Sequence, residues 1–411
     1  MLLPAHVAKD PLMSTLDTST NAVSPLLFFV LAAATGALVA NLYYAQPLLA
    51  LIGPELGIRP DLAGTLVSIT QIGYGLGLFL IVSLADLVEN KKLVLVTLGI
   101  VTVALVAAAA SSNAALFFIA SLAIGLCSTG AQVLVPFAAH LVPPEQRGRT
   151  VGNVMAGLLT GILLARPLAL FISSAFGWRP VFWISAVVMV IIGVLLIAIM
   201  PRYRPASRTS YWANLASMPG LLRDMPVLQR RSAYQFLIFA TFNMLWTAAP
   251  LMLIDRFGLS QTGIAFFALA GAGGALAAPI AGRLADRGLA RLCTAVAIGG
   301  LTAGFVASIW AVPFGSLVAM VIIAVVIDAA VQFNQITSQR LLFVLPAEQR
   351  GRVNALYMTV TFFGGAIGST LATATYHWGG WTATAGAATV LGLAAGALFL
   401  TEFRARVPQS A

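Results

Sequence analysis

The sequence predicts an all-α membrane protein, with twelve transmembrane helices in two pseudo-symmetric six-helix bundles, and three observations predict it. Of its 411 residues, 60% are hydrophobic and only 9% charged, where a soluble domain carries about 25% charged residues. Apolar runs of about 20 residues recur, the length that crosses a ~30 Å hydrocarbon layer, and they do not alternate as barrel strands do. The remaining charges are distributed unevenly between the runs.

In order, the runs lie at roughly 25–49, 62–84, 93–111, 115–138, 150–174, 181–200, 233–254, 262–282, 292–311, 315–339, 353–375 and 381–401. They divide the chain into a tail (1–24), a first bundle (25–200), a central loop (201–232), a second bundle (233–401) and a second tail (402–411). Between alternate runs stand Lys91 and Lys92; Arg147 and Arg149; Arg202, Arg204, Arg208, Arg223, Arg230 and Arg231; Arg283, Arg287 and Arg291; and Arg350 and Arg352. Lys9, Arg404 and Arg406 stand in the tails, while the opposite loops hold only Arg59, Arg179 and Arg256. Basic loops stay in the cytoplasm, so both termini are expected there. The net charge of +10 is then a topology signal, and no nucleic-acid partner is expected. The long first run has no small-residue cleavage site and reads as an uncleaved helix. Cys127 and Cys293 fall in different runs, so no disulfide framework is expected. Residues 201–232 set Trp212, Leu215, Met218 and Leu221 among basic residues, a pattern for a segment on the membrane surface.

Within the runs, polar residues are the candidates for function. Asn41 and Tyr44 share a face of the first run at i, i+3, as do Gln71 and Tyr74 in the second. Asn243, Trp246 and Thr247 share one in the seventh, and Asn354, Tyr357, Met358 and Thr361 in the eleventh. Amides beside aromatic rings suit a mostly apolar ligand carrying few polar groups; helix packing and interface anchoring are the other reading. Only two charges sit well inside the runs, Arg166 in the fifth and Asp328 in the tenth. A charge at mid-membrane costs at least about 2.5–3.5 kcal/mol on insertion scales, so such residues face the bundle interior and mark ion or substrate paths. Asp328, Gln332, Gln335 and Gln339 form one polar stripe over three helical turns. The glycines of GAGGALAA (271–278) and GGAIGS (364–369) predict close helix approach.

The two halves repeat. LVPPEQRGR (141–149) returns as VLPAEQRGR (344–352), PLLALIGPELG (47–57) as PLMLIDRFGLS (250–260), and LAD recurs at 84–86 and 284–286. Two like halves about an axis normal to the membrane describe many transporters, with the substrate site between them near mid-membrane. At the same offset Gln335 falls on Gln132 of the fourth run.

These stretches, with NLYYAQPLL (41–49), VPPEQRGRTVGNVMAGLLTGILLARPLA (142–169), GIAFFALAGAGGALAAPIAGRLADRG (263–288) and PAEQRGRVNALYMTVTFFGGAIGS (346–369), resemble the major facilitator superfamily over nearly the whole chain. Within it, they look like the bacterial proton-linked efflux proteins of the drug-antiporter and acriflavine-sensitivity type. The resemblance implies that Asp86 and Asp286, with Lys91, Lys92 and Arg287, latch the cytoplasmic face of one conformation; for the two aspartates a helix-end cap or a solvated loop charge is the other reading. It also implies a central cavity lined by the fourth and tenth helices, across which Gln132 and Gln335 face each other. In VSLADLVENKK (82–92) both glycines of the family's loop pattern are replaced. The arginine usual in the fourth helix is Ser121 here, and Arg166 is read as the same cation moved to the fifth. The EQRGR segments are expected to be tight cytoplasmic loops whose Arg147, Arg149, Arg350 and Arg352 form contacts with Glu145 or Glu348 across the halves that break on opening, or else fix topology and touch headgroups.

The function expected is secondary active transport by alternating access, with proton-coupled efflux of a small amphipathic compound such as a drug or metabolite; proton-coupled uptake is the alternative. Burial favours the neutral form of a carboxylic acid and a neighbouring cation the charged form, so an acid between the two can carry a proton. Asp328 is read as that carrier and Arg166 as its cation or as the binder of an anionic substrate group; a static ion pair is the other reading. His6, His140 and His377 give no metal spacing, and no G-x-S-x-G elbow or Walker sequence occurs, so neither an enzyme nor a cofactor is expected. The partners expected are a small-molecule substrate, protons and the lipid bilayer of a bacterial inner membrane, with the monomer functional.

Overall fold

The computed structural model describes residues 24–205, 210–275, 277–343 and 347–404, without the side chains of 272, 275, 347, 348 and 404. Lys9, Arg208, Arg406 and the side chains of Glu348 and Arg404 therefore lie outside the described residues.

The first half begins with α1 (Pro25–Ala40). Ser24 caps it, its hydroxyl accepting from Leu26 N at 3.2 Å, and Pro25 fits the first turn, where no N–H is needed. The helix stops at Asn41, and only after a 3₁₀ turn at Gln46–Leu48 does α2 (Leu49–Glu55) continue the passage. The chain then runs through α3 (Thr65–Leu80), α4 (Asn90–Ala109), α5 (Ala114–Ser128), α6 (Gly130–His140), α7 (Pro144–Phe176) and α8 (Arg179–Ile199). A surface helix, α9 (Tyr211–Asp224), leads to α10 (Pro226–Phe257), which ends on Gly258 in the left-handed region. The second half continues with α11 (Gln261–Ala268), α12 (Gly271–Ala275), α13 (Ala277–Asp286), α14 (Ala290–Ala311), α15 (Leu317–Leu342) and α16 (Ala347–Arg404).

The described residues make twelve passages. Nine stretches are long and apolar enough to cross a membrane. The last of them lies within α16 and counts twice, because Gly379 and Gly380 (φ +65°) break it into two. The passage through α1 and α2 and the broken passage α11–α13 complete the set. Large apolar side chains such as Trp183, Ile184, Val187, Val190, Ile191 and Val194 of α8 point outward, the surface that lipid covers.

Three expectations change. The first and eighth runs are interrupted, at Asn41–Ala45 and at Leu269–Ala270. The EQRGR segments are not tight loops: the first forms the opening turns of α7 and the second those of α16. Arg231, placed in the central loop, is buried in α10 and pairs with Glu402 at 3.6 Å. The last two share a cause: hydropathy marks only the lipid-covered middle of a helix, and these helices continue into polar sequence.

The halves meet along two seams, α3 against α16 and α7 against α11. On the face opposite the basic loops they are stitched by hydrogen bonds. Gly64 N donates to Thr373 Oγ1 at 3.0 Å, Ser68 Oγ to the Ala366 carbonyl at 2.5 Å and Ser173 Oγ to Gln261 Oε1 at 2.8 Å.

Candidate functional site

Between the halves lies a cavity of about 230 Å³. The first half lines it with Val39, Tyr43, Tyr74, Gln132, Met155 and Arg166 among others; the second contributes Phe239, Phe242, Asp328, Gln332, Gln335, Gln339, Asn354, Met358, Thr361 and Phe362. The stripe from Asp328 to Gln339 lies along this wall, from mid-helix to the end of α15 that carries the basic loop.

At its deep end the cavity holds the two intramembrane charges, both buried. Arg166 donates from Nε to Gln46 Oε1 at 2.9 Å. Its guanidinium carbon lies 4.8 Å from the centre of the Tyr43 ring, 4.7 Å from Trp246 and 5.5 Å from Phe242, within the range of cation–π attraction. Trp246 also donates its indole N–H to Asp328 Oδ1 at 2.8 Å. The tryptophan thus stands between acid and base, and among the described residues no ion pair joins Arg166 to Asp328. Small residues make room for the acid: a methyl at Gly271 would lie 2.7 Å from Asp328 Oδ2, and one at Gly274 would strike Asp328 Cβ. The GAGGA segment is therefore the surface on which Asp328 packs.

Gln46 ties this group to the other half. Its amide nitrogen donates to Thr247 Oγ1 at 3.0 Å and to Asn243 Oδ1 at 3.3 Å. Asn243 Oδ1 also accepts from Gln71 at 3.3 Å, and Thr247 reaches Ser369 Oγ at 3.3 Å. Sequence reasoning missed Gln46, Tyr43 and Phe242. The signal for Gln46 was present, an amide inside an apolar run. Helical spacing was extended past Ala40, where the helix has ended, and so selected Asn41 and Tyr44. Across the turn it is Tyr43 that faces the cavity.

The candidates therefore divide. Tyr74, Gln132, Gln332, Gln335 and Thr361 line the cavity with Arg166 and Asp328. Gln132 Nε2 donates to Tyr74 OH at 3.1 Å. Gln71, Asn243, Trp246 and Thr247 are buried in the network behind it. Asn41 turns away, accepting from Ser185 Oγ at 2.6 Å, and Tyr44 is not on the wall. Tyr357 is buried in a separate apolar cluster with Leu215 and Met218 of α9.

On the basic face the expected latch residues spread out. Lys91 Nζ donates to the Ile197 carbonyl at 2.8 Å, and Asp286 pairs with Arg340 of its own half at 3.1 Å. Arg352 donates to Ser217 Oγ of α9 at 2.8 Å. Glu145, Arg147, Arg149, Arg287, Arg350 and Lys92 are exposed. No ion pair of Glu145 occurs among the described residues, and Glu145 lies exposed in the first turn of α7. Asp86 retains accessible surface, yet partial burial raises its pKa above the usual carboxylate value, against the weaker pull of Arg352 and His140. Arg352 belongs to the other half, so that attraction crosses the seam.

The family model for the Major Facilitator Superfamily matches residues 28–345. An uncharacterized transporter of Escherichia coli O157:H7, YgaY, is 36% identical over 362 residues, 87% of this chain and 91% of that protein. A probable transporter of Streptomyces coelicolor, SCO4007, is 33% identical over 389 residues, 92% and 89% of the two chains. Among solved structures, a bacterial homologue of the human lysosomal transporter Spinster, in an inward-facing and occupied conformation, superposes with a TM-score of 0.70 at 15% identity, covering 93% of this chain and 97% of that one.

Proposed function

The chain belongs to the Major Facilitator Superfamily, and from that premise we propose that it is a proton-coupled secondary active transporter of small amphipathic compounds, working by alternating access in a bacterial inner membrane. One observation carries the proposal: a buried acid from one half and a buried base from the other share one cavity between the halves, held apart by Trp246. Asp328 takes up and releases the proton. Its charge acts on Arg166 across the indole, and Arg166 is tied through Gln46 to Asn243 and Thr247 of the opposite half. A change of charge at Asp328 thus alters a contact that spans the seam, which is what coupling to a rocking motion needs.

The excess of basic residues in alternate loops supports a cytoplasmic position for both termini, with the halves at 25–200 and 233–401 joined through 201–232, which carries α9 and the first turns of α10. The stitched face is then the outer one, and the cavity reaches toward the cytoplasm past Gln339 and Asn354. Asp86 and Arg352 attract one another across its mouth as part of the gate, and a single chain contains the whole site. Efflux in exchange for protons is the direction that the resemblance implies. A second reading, uptake together with protons, is favoured by the guanidinium of Arg166, which has no carboxylate partner among the described residues.

The test is transport by the purified protein in proteoliposomes under imposed pH gradients of either sign, over a panel of neutral, cationic and anionic amphipathic compounds. Saturable flux that follows the gradient is expected for one chemical class. Flux indifferent to the gradient for every transported compound contradicts proton coupling.

A further inference from the structure

We infer that Arg166 holds the carboxylate of an organic anion, so that the compound carried is a small amphipathic acid. This rests on the transport reading above, but not on its direction. Tyr43 and Trp246 flank the guanidinium, and Gln46 Oε1 accepts a hydrogen bond from its Nε at 2.9 Å. Nη2 is buried and has no acceptor among the described residues. A buried donor left without an acceptor is costly. A carboxylic acid escapes such a cost by going neutral, whereas arginine keeps its charge. An acceptor carried by a bound molecule completes this donor. Asp328 does not supply it, since no ion pair joins the two, and Asp328 Oδ1 already accepts from Trp246.

The shape of the site agrees. Arg166 is clamped in one orientation by rings and an amide, and a fixed planar guanidinium matches the two oxygens of a carboxylate. Beyond it the wall offers Met155, Met358 and Phe362, soft and aromatic surface for an apolar body. Among the described lining residues the titratable or charged groups are Arg166, Asp328, Tyr43 and Tyr74, so Asp328 is the one acid that competes for the cation. Protonating it removes that competition. Proton and anion then favour each other's binding, and the linkage is reciprocal. Joint loading of this kind is what co-transport requires, whereas exchange requires the two to exclude one another.

Isothermal titration calorimetry on the full chain in detergent tests the anion site with four probes of one skeleton: 2-naphthoate, 2-naphthalenesulfonate, 2-naphthamide and 2-naphthylmethylammonium. Both anions are expected to bind at least tenfold more tightly than the amide, and the amine most weakly. R166Q, checked for folding by gel filtration, should lose the preference for anions; R166K, which keeps the charge without the fork, should retain part of it. D328N should bind the anions at least as tightly as the unaltered protein. Equal or tighter binding of the amide or amine, undiminished anion binding by R166Q, or binding of neither anion overturns the inference. These titrations need no gradient, so a failure of proton coupling and a failure of the anion site are read separately.

Discussion

Gln46 is the residue whose removal separates a working bond from an idle one. It accepts from Arg166 and donates to Thr247 and Asn243, so Gln46→Leu leaves a buried guanidinium N–H without its acceptor and removes the bonds from Gln46 to Thr247 and Asn243, whose oxygens keep Ser369 and Gln71 as partners. Such losses cost on the order of 1–3 kcal/mol, more where a charged group is involved. Gln71, one turn of the seam away, makes a single bond at 3.3 Å, and its Oε1 already lacks a partner. We expect Q46L to lower the thermal midpoint in detergent clearly and Q71L to leave it nearly unchanged. Equal midpoints for the two variants would show that the Gln46 bridge does not hold the halves. This pair also marks the limit of reading residues from sequence. Asp328 and Arg166 were legible, because a charge in an apolar run has few explanations. Gln46 was not, because its importance comes from where a broken helix turns it.

At the scale of elements, the packing of α12 on α15 sets how Asp328 is held. The glycines of 271–278 were legible as a site of close approach, but the helix they approach was not, since spacing within one helix says nothing of the face opposite. The structure supplies it: an added methyl at Gly274 meets the Cβ and backbone of Asp328, whereas at Gly299 of α14 it meets nothing within 4 Å. Overpacking a tight contact costs about 1–3 kcal/mol, while alanine for glycine on an open helical surface is favourable by up to ~1 kcal/mol. Thermal melting should therefore find G274A destabilised and G299A unchanged or slightly stabilised; the reverse order would mean that the α12–α15 seam is looser than described. Helix ends were the least legible part. Arg231 and the EQRGR segments belong to helices that continue beyond the apolar runs, and their extra turns build the basic face. Helix α9 tucks Leu215 and Met218 against Leu356 and Tyr357, in a stretch that hydropathy alone reads as a surface segment.

At the scale of the whole molecule, two bundles related by a duplication enclose one cavity and are stitched at the end opposite the basic loops by the Gly64, Ser68 and Ser173 bonds. The bundle count and the repeat were legible because duplication leaves matched words in each half. The closed end was not, since Ser68 and Ala366 are 298 positions apart and no local pattern joins them. What the account asks of this architecture is that Asp328 turn a proton gradient into motion of the halves. Flux in proteoliposomes by the unaltered protein and by D328N, each with and without an imposed pH gradient, measures that most directly. We expect D328N to support substrate exchange without a gradient and to gain nothing when one is imposed, while the unaltered protein is driven by it. A D328N protein that still follows the gradient as the unaltered one does would contradict the account.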